Sequence, residues 1–216
     1  MLSIIQAAGW PIWPLIACSV LALALVVERA LTLRRSRVAP AALLDEAITV
    51  SRHGLPSAEV TAQLARNSAL GEVLAAGLRT AQANPRCSEE DLRSAVESAG
   101  RQAAHQLERY LTALGTIASA APLLGLLGTV VGMIEIFGLQ APTAGGSVSG
   151  NPAQLAHGIS VALYNTAFGL IVAIPALIFW RYFRSRVDAY LLAMELASER
   201  FVRHLLSLRK PGAPAP

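Results

Sequence analysis

Three stretches of the chain hold no Asp, Glu, Lys or Arg: Met1 to Val27, Tyr110 to Ile134, and Ile136 to Trp180. A helix needs about 20 residues to cross a hydrocarbon core, so each gap is long enough to span a bilayer. The third leaves room for a hydrophilic turn as well. Charged residues make up 15% of the 216, against roughly 25% in ordinary soluble domains. Their distribution, more than their scarcity, points to a membrane. Cysteine is nearly absent. Cys18 falls in the first stretch and Cys87 in a charged region, environments too different for a disulfide between them. The four histidines, His53, His105, His157 and His204, sit at no metal-ligand spacing, so neither a metal nor a cofactor is expected. There is no H-E-x-x-H, G-x-S-x-G or P-loop, so no enzyme is expected. No basic patch interleaved with aromatics suggests a nucleic-acid partner.

The positive charges are confined as well. All 18 Lys and Arg lie within 28–109 or 181–216. Basic loops stay in the cytoplasm, so three spans with this asymmetry predict a periplasmic N-terminus, a large cytoplasmic loop, a short outer loop and a cytoplasmic C-terminus. The net charge of +4 then reflects topology. The first gap lacks the features of a cleaved leader: Met1 to Gly9 carries no Lys or Arg, and arginines follow the apolar run instead. It is expected to remain as a span, roughly Ile12 to Leu33, opened by Trp10, Pro11, Trp13 and Pro14 at headgroup level.

Beyond the Glu28-Arg29 pair at the expected cytoplasmic interface, where Glu28 either pairs with a nearby Arg or is solvated, the chain from Ala41 to Asn84 is polar and helix-prone. Gly54-Leu-Pro56 divides it and Asn84-Pro85 ends it. Ser88-Glu-Glu-Asp91 reads as a helix start, a Ser cap followed by acids at the positive end of the dipole. Leu92, Val96, Ala99, Ala103, Leu107 and Leu114 recur at helical spacing, predicting one long helix into the membrane to about Phe137. Gln140 to Pro152 is turn chemistry. The third span is expected over Gln154 to Trp180. It continues as an amphipathic helix through Val187, Leu191, Met194, Phe201, Leu205 and Leu208, before a disordered tail from Arg209. The fold class is therefore all-α, a polytopic membrane protein whose last two transmembrane helices extend into a cytoplasmic helical domain. The expected divisions are 1–33, 34–109, 110–137, 138–153, 154–180 and 181–216.

The second span carries Gly125, Gly128 and Gly132; the last two form a small-xxx-small motif that lets helix backbones approach closely. Thr129 lies among them. Its hydroxyl can bond its own helix, face a neighbour or line a water-filled path. In the third span Ala162, Thr166, Gly169 and Ala173 follow a 4-3-4 spacing, a second narrow face with one hydroxyl. Such faces suit a cavity for a partner's span and tight packing equally. Pro175 lacks an N–H and is expected to kink the helix near Ile171. Asn165 is an amide at membrane depth and needs a partner there. Glu135 is the one acid inside a predicted span region, near its outer end, either at a proton entry or as an interfacial carboxylate. His157, also near the outer surface, reads as a wet interfacial side chain.

Leu124-Gly-Leu-Leu-Gly-Thr-Val-Val-Gly132, followed by Gly158-Ile-Ser-Val-Ala-Leu-Tyr-Asn-Thr-Ala-Phe-Gly-Leu170 and Ala173-Ile-Pro175, resembles the signature of the ExbB/TolQ/MotA proton-channel family. Three spans fit ExbB and TolQ better than the four of MotA. The resemblance implies a homopentameric ring in the bacterial inner membrane around single-span partners of the ExbD or TolR kind. The partner's membrane Asp carries the proton, and threonines matching Thr129 and Thr166 line the inner face. It also implies that work is passed to a periplasm-spanning transducer, TonB in ExbB systems, which powers outer-membrane transport. A TolQ-like subunit serving envelope constriction, or a non-conducting scaffold, are the alternatives. One departure stands out. Enteric members carry a Glu where this chain has Val161, one turn before Asn165, so Asn165 is expected to offer hydrogen bonding where that acid is missing.

Overall fold

The computed structural model describes residues 9–52, 54–139 and 152–208, and all of their side chains except those of 135, 139, 152–155 and 157. The turn expected over 140–151, the tail from Arg209 and the side chains of Glu135 and His157 lie outside this description. Seven helices occur among the described residues: α1 (Ile12–Thr32), α2 (Arg35–Val38), α3 (Leu43–Ser51), α4 (Ala58–Asn67), α5 (Ala69–Ala83), α6 (Glu89–Leu139) and α7 (Pro152–Ser207). Three of them, α1, α6 and α7, are long and apolar enough to cross a membrane. This is an all-α polytopic membrane protein.

At 1.5 Å per residue the 51 residues of α6 and the 56 of α7 extend about 76 Å and about 84 Å, well beyond one bilayer. Both helices continue through an internal proline, Pro122 and Pro175. The start of α6 explains its stability. The Asp91 amide donates to Ser88 Oγ at 3.0 Å and the Ser88 amide donates back to Asp91 Oδ2 at 2.8 Å, so two orphan N–H groups are satisfied reciprocally.

The helices contribute to two compact units, Met1–Glu28 with Tyr110–Tyr182, and Arg29–Arg109 with Phe183–Pro216. In the first, Leu15, Ala121, Val172 and Ala173 form a buried cluster covered by Cys18, Ile117, Leu124 and Phe168, so all three spans meet there. Much of the remaining apolar surface is open. Of the three apolar windows only 17%, 28% and 33% is buried within the chain. Backbone polar groups are satisfied inside each helix while Leu23, Leu126, Ile134 and Ile171 face outward, which is the arrangement lipid or neighbouring spans require.

The second unit has its own core, with Leu74, Leu78, Leu92, Val187 and Phe201 almost fully buried. Its helix breaks follow local chemistry. Gly54, between α3 and α4, has φ +129°, a region that side chains disfavour. Ser68 ends α4 and caps α5, its Oγ accepting from the Gly71 amide at 3.0 Å. Neither Gly nor Pro marks this second break. It depends on Gly71, where any Cβ would collide with the Leu64 carbonyl oxygen of α4.

Two long-range hydrogen bonds fix the C-terminal end of α1. Arg29 donates to the Leu107 carbonyl oxygen at 2.9 Å, and the Tyr190 hydroxyl donates to the Leu33 carbonyl oxygen at 3.0 Å. Arg29 is only 2% exposed. The sequence puts it at the cytoplasmic interface; its side chain is enclosed there, its guanidinium reaching a carbonyl of α6 while its stem packs. Arg184 on α7 bridges Glu108 at 3.1 Å and Asp188 at 3.4 Å, an exposed network of modest worth.

Candidate functional site

The small residues of α6 and α7 meet each other. A methyl placed on Gly125 would stand 2.9 Å from the Asn165 carbonyl oxygen and 3.1 Å from the Thr166 Cα. One on Gly169 would stand 2.7 Å from the Ala121 carbonyl oxygen. The two distances under 3.0 Å are shorter than Cβ contacts adopt and the third is tighter than most, so the two backbones touch with hydrogen alone between them. Toward the C-terminal end of α6 the seam relaxes: a methyl on Gly132 would lie 3.4 Å from Ala162 Cβ, an ordinary contact.

Asn165 sits in the notch that Gly128 leaves. A Cβ there would fall 2.5 Å from Asn165 Cβ and 2.9 Å from its Nδ2. The side chain is 1% exposed. Its Oδ1 accepts no hydrogen bond from the described residues, although other interactions engage the residue. Burying an amide at this depth costs several kcal/mol without compensation, so the notch at Gly128 and the position of Asn165 specify one another. Val161 is half-buried one turn away.

The hydroxyls are both committed as donors. Thr166 Oγ1 donates to the Gly125 carbonyl oxygen across the seam at 3.2 Å. Thr129 Oγ1 donates to Leu126 of its own helix at 2.6 Å. A hydroxyl that has given its proton still holds acceptor lone pairs. Thr129 is half-exposed and lies beside the seam, on an open groove of about 510 Å³ with Val130, Met133, Ile134, Phe137 and Gly138. The structure therefore joins Gly125, Gly128, Gly169, Asn165 and Thr166 in one contact, with Gly132 at its edge. Thr129 stands on an adjoining face. Pro175 is exposed further along α7, and Arg29, in the other unit, serves packing.

Spacing found the small faces but not one polar pair. In the second unit, Ser51 is fully buried and its hydroxyl donates to the Ala47 carbonyl at 2.7 Å, leaving its oxygen 3.0 Å from His204 Nε2. Burial, and then the positive charge of Arg52, hold the His204 pKa below its usual value. The partners are 153 positions apart, and neither is a helix-face residue that periodicity would single out. Among the described residues no group of His, Cys, Asp and Glu could hold a metal ion, and neither Cys18 nor Cys87 is in a disulfide.

Comparison with known proteins places these features. Residues 65–196 match the model of the MotA/TolQ/ExbB proton channel family. A protein named biopolymer transport protein ExbB-like 3 in Synechocystis sp. is 34% identical over 182 residues, 83% of this chain and 83% of its own length. The biopolymer transport protein exbB1 of Vibrio cholerae is 34% identical over 173 residues, 79% of this chain and 73% of the relative. The Tol-Pal system protein TolQ of Haemophilus influenzae is 33% identical over 114 residues, 51% of this chain and 48% of the relative. With the glycine seam between its last two apolar helices inside the matched region, the chain belongs to the MotA/TolQ/ExbB proton channel family.

Proposed function

We propose that the chain is the ring-forming subunit of a proton-driven motor in the bacterial inner membrane, of the ExbB kind. Its N-terminus is periplasmic, its C-terminus cytoplasmic, and five copies surround a single-span ExbD-type partner whose membrane Asp titrates. A TonB-type transducer carries the work to outer-membrane transport. In this reading the protein conducts and moves and is no enzyme. The observation that carries it is the seam itself: an amide and a hydroxyl held at membrane depth between glycines, with most of the span surface open to other helices. Because Thr166 and Thr129 donate to carbonyl oxygens, they present lone pairs. Each accepts a hydrogen bond from the protonated partner acid more readily than it donates to the ionised one. Asn165 supplies polarity beside Val161, and Glu135 stands where protons would enter.

A TolQ-like role is the second reading. The Haemophilus match supports it, but over 51% of this chain, against 83% for the ExbB-like 3 protein of Synechocystis. The two differ in partner more than in chemistry, and complementation of exbB-deficient and tolQ-deficient cells separates them.

The test is proton flux through rings reconstituted with the single-span partner. Thr166→Ser is expected to conduct. Thr166→Val should lose about tenfold or more of the flux, the effect of one hydrogen bond in the transfer step, with ring size unchanged. Proton-tight wild-type rings under an applied gradient would sink the motor reading and favour a scaffold.

A further inference from the structure

A second polar feature lies in the other unit, away from the glycine seam. A cavity of about 480 Å³ opens between the segment after α1, the α4–α5 junction and α6. Arg37 reaches it from α2 and Arg66 from the end of α4, while the amides of Asn67, Gln102 and Gln106 complete its polar wall. Among the described residues no hydrogen bond or ion pair engages either guanidinium. One carboxylate, Glu72, shares the rim, but it is drawn to Arg79 at 3.4 Å. Two cations from separate helices thus converge with amide donors on one space and find no internal anion.

We propose that this cavity binds a phosphate-bearing anion, with each guanidinium gripping phosphate oxygens and the amides donating around it. The fork of five N–H donors on Arg suits phosphate, and the cavity has room for a headgroup-sized ligand. Its level in the chain favours a lipid source. Arg37 follows the end of α1 by five residues, and Gln106 precedes Tyr110, where the charge-free stretch of α6 starts, by four. Four residues are about 6 Å of helix rise, and the headgroup layer on each side of a bilayer is about 5–8 Å deep. An anionic phospholipid of the cytoplasmic leaflet is therefore the expected occupant, and a free phosphate shares the same chemistry.

The full chain in neutral detergent tests this, with the unfolding midpoint followed against added ligand. Dioctanoyl phosphatidylglycerol should raise the midpoint saturably. Dioctanoyl phosphatidylcholine, whose phosphate is neutralised by choline, should not. Replacing both guanidiniums, Arg37→Gln with Arg66→Gln, should weaken the apparent affinity roughly tenfold for each one removed. Glu72→Gln, which removes the rim carboxylate, should tighten it. Sodium phosphate, set against sodium chloride of equal ionic strength, separates the sources: the same Arg-dependent saturation with phosphate alone assigns the site to a free phosphate and upholds it. Saturation by neither anion, or saturation that the double variant leaves unchanged, overturns the proposal. Should the double variant fail to elute as the wild type does, Glu72→Gln decides, and an affinity unchanged or weakened there overturns it equally.

Discussion

The Thr166 hydroxyl donates to the carbonyl oxygen of Gly125 at 3.2 Å, tying a side chain of α7 to the backbone of α6 across 41 positions of sequence. The contact exists because Gly125 and Gly169 bring the two backbones together without side chains between them. A hydroxyl at this depth would otherwise bond back to its own helix, as Thr129 does.

The seam predicts a graded response to added methyl groups. Gly128→Ala would press against Asn165 Cβ, which has no room to yield, and should destabilise the chain by about 1–3 kcal/mol. Gly132→Ala meets Ala162 at 3.4 Å and should lie within about 0.5 kcal/mol of wild type. Unfolding of the two variants in detergent, followed side by side, checks the order. Equal midpoints would contradict the packing described.

Thr129 offers the complementary case. It is half-exposed and among the described residues its hydroxyl serves its own helix, so Thr129→Val should change stability by less than about 0.5 kcal/mol. If this face accepts the partner's acid, proton flux through reconstituted rings should nonetheless fall. A fall in flux with an unchanged midpoint separates conduction from packing.

His204 predicts a pH dependence with a definite sign. Burial and Arg52 lower its pKa in the folded protein below the ordinary 6.5, so the unfolded chain binds its proton more readily. Stability from this group is complete above pH 6.5 and is lost as pH falls through the folded-state value. His204→Gln should flatten the decline of the unfolding midpoint between about pH 7 and pH 5. A wild-type profile as flat as that of the variant would remove His204 as its source.

Ser88→Ala removes the acceptor for the Asp91 amide. Loss of such a cap costs about 1 kcal/mol, and it should be accompanied by faster hydrogen exchange at the first turn of α6. Exchange at the wild-type rate would mean that water replaces the cap without loss.

The long elements were legible because each has a strong one-dimensional signal. Charge-free runs marked the spans, and the first, expected over Ile12 to Leu33, is observed over Ile12–Thr32. The cap at Ser88 placed the start of α6, and the stripe through Val187, Met194 and Phe201 carried α7 past the third span. What escaped depends on contacts between helices. The break at Ser68 has no Gly or Pro; it follows from Gly71 meeting Leu64 on another helix. Arg29 carries a charge that usually means exposure, and its bond to the Leu107 carbonyl, 78 positions away, accompanies its burial. The small faces were visible as spacing, but that Asn165 fills the notch at Gly128 needs both helices in place.

The Tyr190 hydroxyl completes the end of α1, accepted by the carbonyl of Leu33 from 157 positions downstream. A ribosome therefore releases the first span long before the group that finishes it exists. Through most of translation that oxygen must be served by water or headgroups, and the first span waits in the bilayer with a loose end. Closure comes with the last helix, so any truncation before Tyr190 leaves the earliest part of the chain unfinished as well as the latest.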